Sequence, residues 1–270
     1  MSVTLTNLNV YPIKSCRGIA QESARLAPTG LADDRHWMLV RPNGRFITQR
    51  EHPRMALIAT ALNSGLTLNA PGMPALEVSR SAGGESRAVT VWKFEGRGID
   101  CGDAAAEWVS SFLATPLRLV MFDASVPRVC SPEWAGDTRA ITEFSDGYPI
   151  LVISRASLAE LNSRLPRALP MERFRPNVVI DGVDAYDEDR MHELRAGPVT
   201  LRIVKPCTRC SITTTDQQLG AVDGVEPLKT LKEYRYDQEL RGVAFGQNVI
   251  VVSGVGESLR VGQTLDVVWK

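Results

Sequence analysis

The sequence has no surplus of charge of either sign: 31 Lys and Arg face 31 Asp and Glu. That balance removes any global electrostatic case for nucleic acid or for an anionic membrane as a partner, because both call for a basic surface. A local basic pocket survives the exclusion, since net charge says nothing about distribution. No apolar run reaches the length of a membrane span. The segment from Met1 to Cys16 lacks a basic start and an unbroken apolar stretch, so it does not read as a secretory signal. A cytoplasmic protein is the expectation. Histidine is scarce: His36, His52 and His192 are scattered. The five cysteines, Cys16, Cys101, Cys130, Cys207 and Cys210, are odd in number. Without a secretion signal they read as free thiols rather than a disulfide framework. Repeats and low-complexity tracts are also missing.

What is there is strand-forming. Val3 to Tyr11 alternates polar and apolar residues with β-branched ones. His36 to Val40 and Arg45 to Thr48 flank Pro42-Asn43-Gly44, which is turn chemistry for a hairpin. Leu66 to Leu68, Ala88 to Trp92 and Leu117 to Phe122 add strands. Between them Ala104 to Leu113 reads as a helix, with Asp103 as N-cap and an apolar stripe of Trp108, Val109 and Phe112. Ala124 to Asp137 has no clear period and reads as a loop. After Phe144, Pro149 to Ile153, Val178 to Ile180, Thr200 to Val204, Asn248 to Val252 and Thr264 to Val268 read as strands. Ser157 to Leu165 reads as a short helix and Leu259 to Gln263 as a turn. Many strands with few interleaved helices favour an α+β, β-rich architecture or a barrel over a doubly wound sheet.

Lys205-Pro206-Cys207-Thr208-Arg209-Cys210 carries the most chemistry. A structural zinc site needs four ligands, and the other cysteines and histidines are isolated. A redox dithiol normally opens a helix, whereas Ser211-Ile212-Thr213-Thr214-Thr215 is a β-branched run that disfavours one. Two packing cysteines are the plain alternative, against which stand Lys205 and Arg209, positive surroundings that stabilise a thiolate. A soft metal held through thiolate is consistent with the remaining chemistry.

Cys207-Thr208-Arg209-Cys210 followed by Ile212-Thr213-Thr214, Asp216 and Gly220 resembles the signature of MOSC-domain proteins, the group of the YcbX-like proteins and the mitochondrial amidoxime-reducing components. Tyr11-Pro12-Ile13-Lys14-Ser15, then Gly30-Leu31 with Asp34, Arg35 and Trp37, then Phe46 to Arg50, resemble blocks of the associated N-terminal domain. Phe144 to Pro149, Ala156-Ser157-Leu158, Phe174-Arg175-Pro176-Asn177, Glu226 to Leu231 and Phe245 to Asn248 follow in order. The likeness spans nearly the whole chain. It implies an N-terminal β-rich domain over residues 1–120 packed on a MOSC β-barrel over 121–270, with a ligand in the cleft between them.

The resemblance also implies a molybdenum cofactor, the pterin molybdopterin. By motif position Cys210 would be the metal ligand and the catalytic residue, with Cys207 nearby and Cys16 incidental. Lys14, Ser15, Arg35, Arg175 and Arg209 would meet the phosphate and pterin; Arg offers a planar fork and Lys a point charge. Gly147, Tyr148, Asn177, Thr208, Gln247 and Asn248 would add hydrogen bonds. His36 and His52 carry no assigned role. The implied activity is two-electron reduction of N-hydroxylated compounds, namely hydroxylaminopurines, amidoximes or hydroxylamines. The chain ends at Lys270 without the cysteine pattern of a ferredoxin, so a separate electron-transfer protein, flavoprotein or ferredoxin, is the expected partner. A cofactor carrier, or a sulfur carrier with a Cys210 persulfide, is the competing class.

Overall fold

The computed structural model describes residues 3–80 and 83–270. Its largest element is a barrel. Strand Ile150–Ser154 pairs in parallel with Val178–Asp181, which pairs with the N-terminal strand Val3–Val10. The order continues through Thr264–Trp269, Met191–Ala196, Val199–Thr208 and Gly242–Ser253, which closes back on Ile150–Ser154. Closure leaves no open edge in this ring. The one parallel pair needs a crossover, which helix Arg155–Arg164 supplies; Ser154 caps it, its side chain accepting from the Ser157 N–H.

The barrel follows from alternation. Val199, Leu201 and Ile203 are buried while the residues between them are half-exposed, the two-residue period of a strand with one face inward. In the first strand Val3, Leu5, Leu8 and Val10 are the buried set. The period slips between Leu5 and Leu8 because the pairing with Val178–Asp181 shifts register there, and a bulge resets which side chains face inward.

A second, four-stranded antiparallel sheet runs Trp37–Val40, Arg118–Phe122, Phe94–Asp100, Ser86–Val91. Helix Asp103–Leu113 packs Trp108, Val109 and Phe112 into a core shared with Ile13, Trp37 and Leu39. The α+β, β-rich expectation is met. The N-terminal strand lies inside the barrel otherwise built by the second half, so the two halves interlock.

Four local expectations need correction. Gly102, not Asp103, sits at the helix N-cap, at φ +91°; its N–H donates to Asp100 Oδ1 at 2.8 Å. Asp103 falls in the first turn, and its carboxylate is drawn to Arg118 at 2.9 Å. The turn at Arg41–Gly44 forms, with the Gly44 N–H on the Arg41 carbonyl. Its return segment pairs back on the first strand only through an isolated bridge, Phe46 with Val40, and Arg45 bridges to Thr90 as well, so the return arm is no regular strand. Within Ala124 to Asp137 lie a two-residue strand, Arg128–Val129, and a helical turn, Pro132–Ala135. Ser258–Arg260 pairs with Ser23–Ala27 before the chain turns, so the expected turn starts late.

Candidate functional site

Four loops meet where the barrel faces the second sheet, and their residues line one cleft. The first leaves the N-terminal strand. The Lys14 N–H bonds the Trp37 carbonyl and the Cys16 N–H the Ile13 carbonyl, forming a tight turn with Ser15 at φ +66°. Gln49 Nε2 donates to the Ser15 carbonyl at 2.7 Å and to Gln217 Oε1, while Gln217 Nε2 donates back to Gln49 Oε1. Lys14 is buried, its Nζ on the Phe144 carbonyl at 2.8 Å and on Asp146 Oδ1 at 2.5 Å. Burial pushes its amine below the usual lysine range, and Asp146 pulls it partly back.

The second loop, 144–148, is held from behind. Buried Arg128 donates to the Glu143 carbonyl at 2.9 Å, to the Ser145 carbonyl and to the Asp146 carbonyl at 2.9 Å. The guanidinium fork thus saturates three carbonyls that would otherwise splay. At Gly147 no atom lies within 4 Å of where a Cβ would stand, so the backbone there is open to the cleft.

The third loop carries Arg175, left-handed at φ +57°, after the Met171–Phe174 turn. The guanidiniums of Arg175 and Arg35 each lie 4.3 Å from the Tyr11 ring centroid. Arg35, also left-handed at φ +53°, bonds Asp34 and donates to Asn177 Oδ1 at 3.0 Å. Burial pushes Arg175 down to about 10, and Arg35 adds to the effect; the group remains charged at neutral pH. Its Nη2 is buried without a partner among the described residues.

The fourth loop holds the cysteines. Arg209 Nη1 donates to Cys207 Sγ at 2.9 Å, and Nη2 to the Phe174 carbonyl at 2.6 Å; Nε is buried without a partner. Burial pushes the Cys207 thiol up, against the pull of Arg209. Cys210 is half-buried at the N-cap of a 3-10 turn, Ser211–Thr214. The β-branched run therefore does coil, for one turn only. It is held because Thr213 Oγ1 and N–H both reach the Cys210 carbonyl and Thr214 Oγ1 the Ser211 carbonyl. Arg173, almost fully buried, clamps this loop through the Thr214 carbonyl, Asp216 and Asp223.

Eleven of the twelve residues singled out in the sequence line this cleft: Lys14, Ser15, Arg35, Gly147, Tyr148, Arg175, Asn177, Thr208, Arg209, Cys210 and Asn248. Gln247 does not. Its side chain donates to Asp189 Oδ1 at 2.6 Å, because neighbouring residues of a strand point to opposite faces; Asn248 takes the cleft side. Asn177 is already engaged, accepting from Arg35 and the Leu151 N–H and donating to the Asn9 carbonyl. Sequence reasoning missed Tyr11, Asp146, Arg128 and Gln49. Tyr11, Asp146 and Gln49 lie within the motifs named above, but their contacts are long-range; Arg128 sits in a stretch without period. Cys16 is buried beneath the cleft, its thiol pushed up to about 12 by burial. His36 is paired with Glu143 at 2.6 Å and does not line the cleft. Among the described residues no group of three or more His, Cys, Asp or Glu is placed to hold a metal ion.

Residues 2–116 match the MOSC N-terminal beta barrel domain and residues 140–266 the MOSC domain. Mouse mitochondrial amidoxime-reducing component 1 is 40% identical over 242 residues, covering 86% of this chain and 71% of that protein. The human component 1 is 38% identical over 243 residues, covering 86% and 72%. The chain belongs to the MOSC-domain family. Bovine mitochondrial amidoxime reducing component 2, 36% identical over 242 residues with 86% and 72% coverage, is a further relative. Those relatives are named as mitochondrial, which lends the cytoplasmic expectation no support. No helix among the described residues of this MOSC-domain chain is long and apolar enough to cross a membrane.

Proposed function

We propose that the chain is a molybdenum-cofactor-dependent reductase of N-hydroxylated compounds such as amidoximes, hydroxylamines or hydroxylaminopurines. The observation that carries this reading is a half-buried cysteine in a cleft walled by buried and half-buried cations, two of which keep buried polar atoms left over. Arg175 Nη2 and Arg209 Nε have no partner among the described residues, and buried donors without partners are costly. An anionic, hydrogen-bond-accepting ligand resolves that cost, and a pterin phosphate has this chemistry. Four cations, Lys14, Arg35, Arg175 and Arg209, line the cleft with one carboxylate, Asp146. The residues present fit the group.

When bound, the cofactor would supply two-electron redox chemistry that no side chain here offers. The protein would do the rest. Cys210 would give a thiolate to the metal, a ligand type suited to a soft ion. Arg175, Arg209 and Lys14 would neutralise the phosphate and fix the pterin, with Arg35 behind them. Ser15 and Thr208 would offer hydroxyls, Tyr148 and Asn248 further polar groups, and the bare backbone at Gly147 a close approach. Arg209, which also holds the Cys207 sulfur, would tune the metal's surroundings from beside the ligand. Electrons would come from a separate protein, a flavoprotein reductase or a ferredoxin.

The test is turnover. Cofactor-loaded protein with a reduced viologen as donor should convert an amidoxime to its amidine, and Cys210→Ser should not. Loaded wild-type protein that reduces no N-hydroxylated compound would leave a cofactor carrier.

A further inference from the structure

The two guanidiniums at the head of the cleft pose an electrostatic problem. Arg35 and Arg175 are like charges, with Arg35 close enough to oppose the ionisation of Arg175, and Arg35 Nη2 reaches the Arg175 carbonyl at 3.4 Å. Arg35 has a counter-ion in Asp34. Among the described residues Arg175 makes no direct ion pair, Asp34 acting on it only at longer range, and both arginines hold left-handed backbone. What they share is the ring of Tyr11, at 4.3 Å from each. The negative face of an aromatic ring attracts guanidinium groups at this range, more strongly where water is excluded; Tyr11 is 4% exposed.

The ring itself is fixed from every side. Tyr11 N–H donates to Asp34 Oδ1 at 2.9 Å and its OH to the Pro176 carbonyl at 3.2 Å. Its carbonyl accepts from the Arg35 N–H. Gly18 passes so close that a Cβ there would stand 2.5 Å from the ring. The side chain therefore contacts both guanidiniums through its face and the backbone beside Arg175 through its OH, while the Tyr11 main chain bonds Asp34 and Arg35.

We propose that Tyr11 is a positioning residue for phosphate binding: its ring holds the Arg35 and Arg175 guanidiniums together against their repulsion, so that they present one anion site to the cleft. This rests on the cofactor reading above and adds to it a residue that does not touch the ligand. The ring replaces the missing carboxylate. A carboxylate at that place would neutralise Arg175 and repel the phosphate, whereas an uncharged ring stabilises the cations and leaves their charge for the ligand.

The experiment uses the full chain, made free of cofactor in a host that lacks molybdopterin and titrated calorimetrically with inorganic phosphate. Three kinds of variant are compared: Arg175→Ala, Tyr11→Phe, and position 11 filled by phenylalanines of increasing fluorination. Fluorination keeps the ring's shape and drains its negative face, so it separates electrostatic positioning from packing. Arg175→Ala should abolish binding and Tyr11→Phe should retain it. The fluorinated series should weaken binding stepwise, by roughly tenfold at its end if about 1–1.5 kcal/mol of cation–π attraction is removed. Molybdenum retained per chain after gel filtration, in protein from a competent host, should fall in the same order. A flat fluorination series with binding still dependent on Arg175 would overturn the role of the ring and leave the cofactor reading intact. Phosphate binding that ignores Arg175→Ala, or none in the wild type, would remove the anion site and the positioning role with it.

Discussion

Glu188 is fully buried, with Oε1 accepting from the Ser154 N–H at 3.2 Å and Oε2 left without a partner. Burial pushes its carboxyl above the ordinary 4.5. The folded protein then keeps a proton that the unfolded chain has released, so stability falls as pH climbs through 4.5 towards the folded value. Glu188→Gln removes that slope. Its stabilising effect over wild type should be smallest near pH 4 and grow towards neutrality, read by urea denaturation at several pH values. A difference that does not change with pH would contradict this account of Glu188. Arg128 belongs at the same scale. Its replacement by Ala leaves three loop carbonyls short of donors and should cost about 2–4 kcal/mol. Lys should recover only part, since a point charge cannot reproduce the fork. Thermal melts of the two variants check both statements.

At the scale of elements, the turn at Gly44 shows how local chemistry and distant packing combine. Gly44 has φ +81°, and a Cβ on it would stand 2.2 Å from the Ala88 carbonyl oxygen. Gly44→Ala therefore meets backbone strain and a backbone clash together and should lose about 1–3 kcal/mol; an unchanged denaturation midpoint would contradict it. The Pro-Asn-Gly signal announced the turn and its return to Val40, but nothing local announced that Arg45 would also bridge to Thr90. The same division runs through the site. Cys210, Arg175 and Lys14 were legible because motifs name them. Gln247 was misplaced because a motif gives position and not the side of the strand. Arg128 was invisible, and Gln49 lay in a motif without a role, because saturating carbonyls of residues far along the chain leaves no trace in spacing. The coil at Ser211–Thr214 was misread because β-branching speaks against long helices, while one turn stitched by threonine hydroxyls escapes that rule.

At the scale of the molecule, the barrel is the union of both halves of the chain. Val3–Val10 lies between Val178–Asp181 and Thr264–Trp269, and Ser23–Ala27 pairs with Ser258–Arg260. The alternation that marks these strands was legible, but their order was not, because partner choice depends on contacts across the whole sequence. A fragment of residues 121–270 should consequently lack a barrel strand, expose unpaired edges and fail to melt cooperatively. Cooperative unfolding of that fragment in calorimetry would show that the barrel closes without its N-terminal strand. The cleft sits where the interlocked halves meet, with Lys14, Ser15 and Arg35 from one side and Arg175, Arg209 and Cys210 from the other.

The most direct measurement on the proposed role of that cleft is molybdenum and pterin analysis of the wild type beside Cys210→Ser, both purified from a host that makes molybdopterin. The expected result is near-stoichiometric molybdenum in the wild type and its loss in the variant, with the fold of both unchanged by circular dichroism. Molybdenum absent from a well-loaded wild-type preparation, or retained in full by Cys210→Ser, would contradict a metal held through Cys210. Absence of the metal would point instead to a carrier whose Cys210 bears a persulfide.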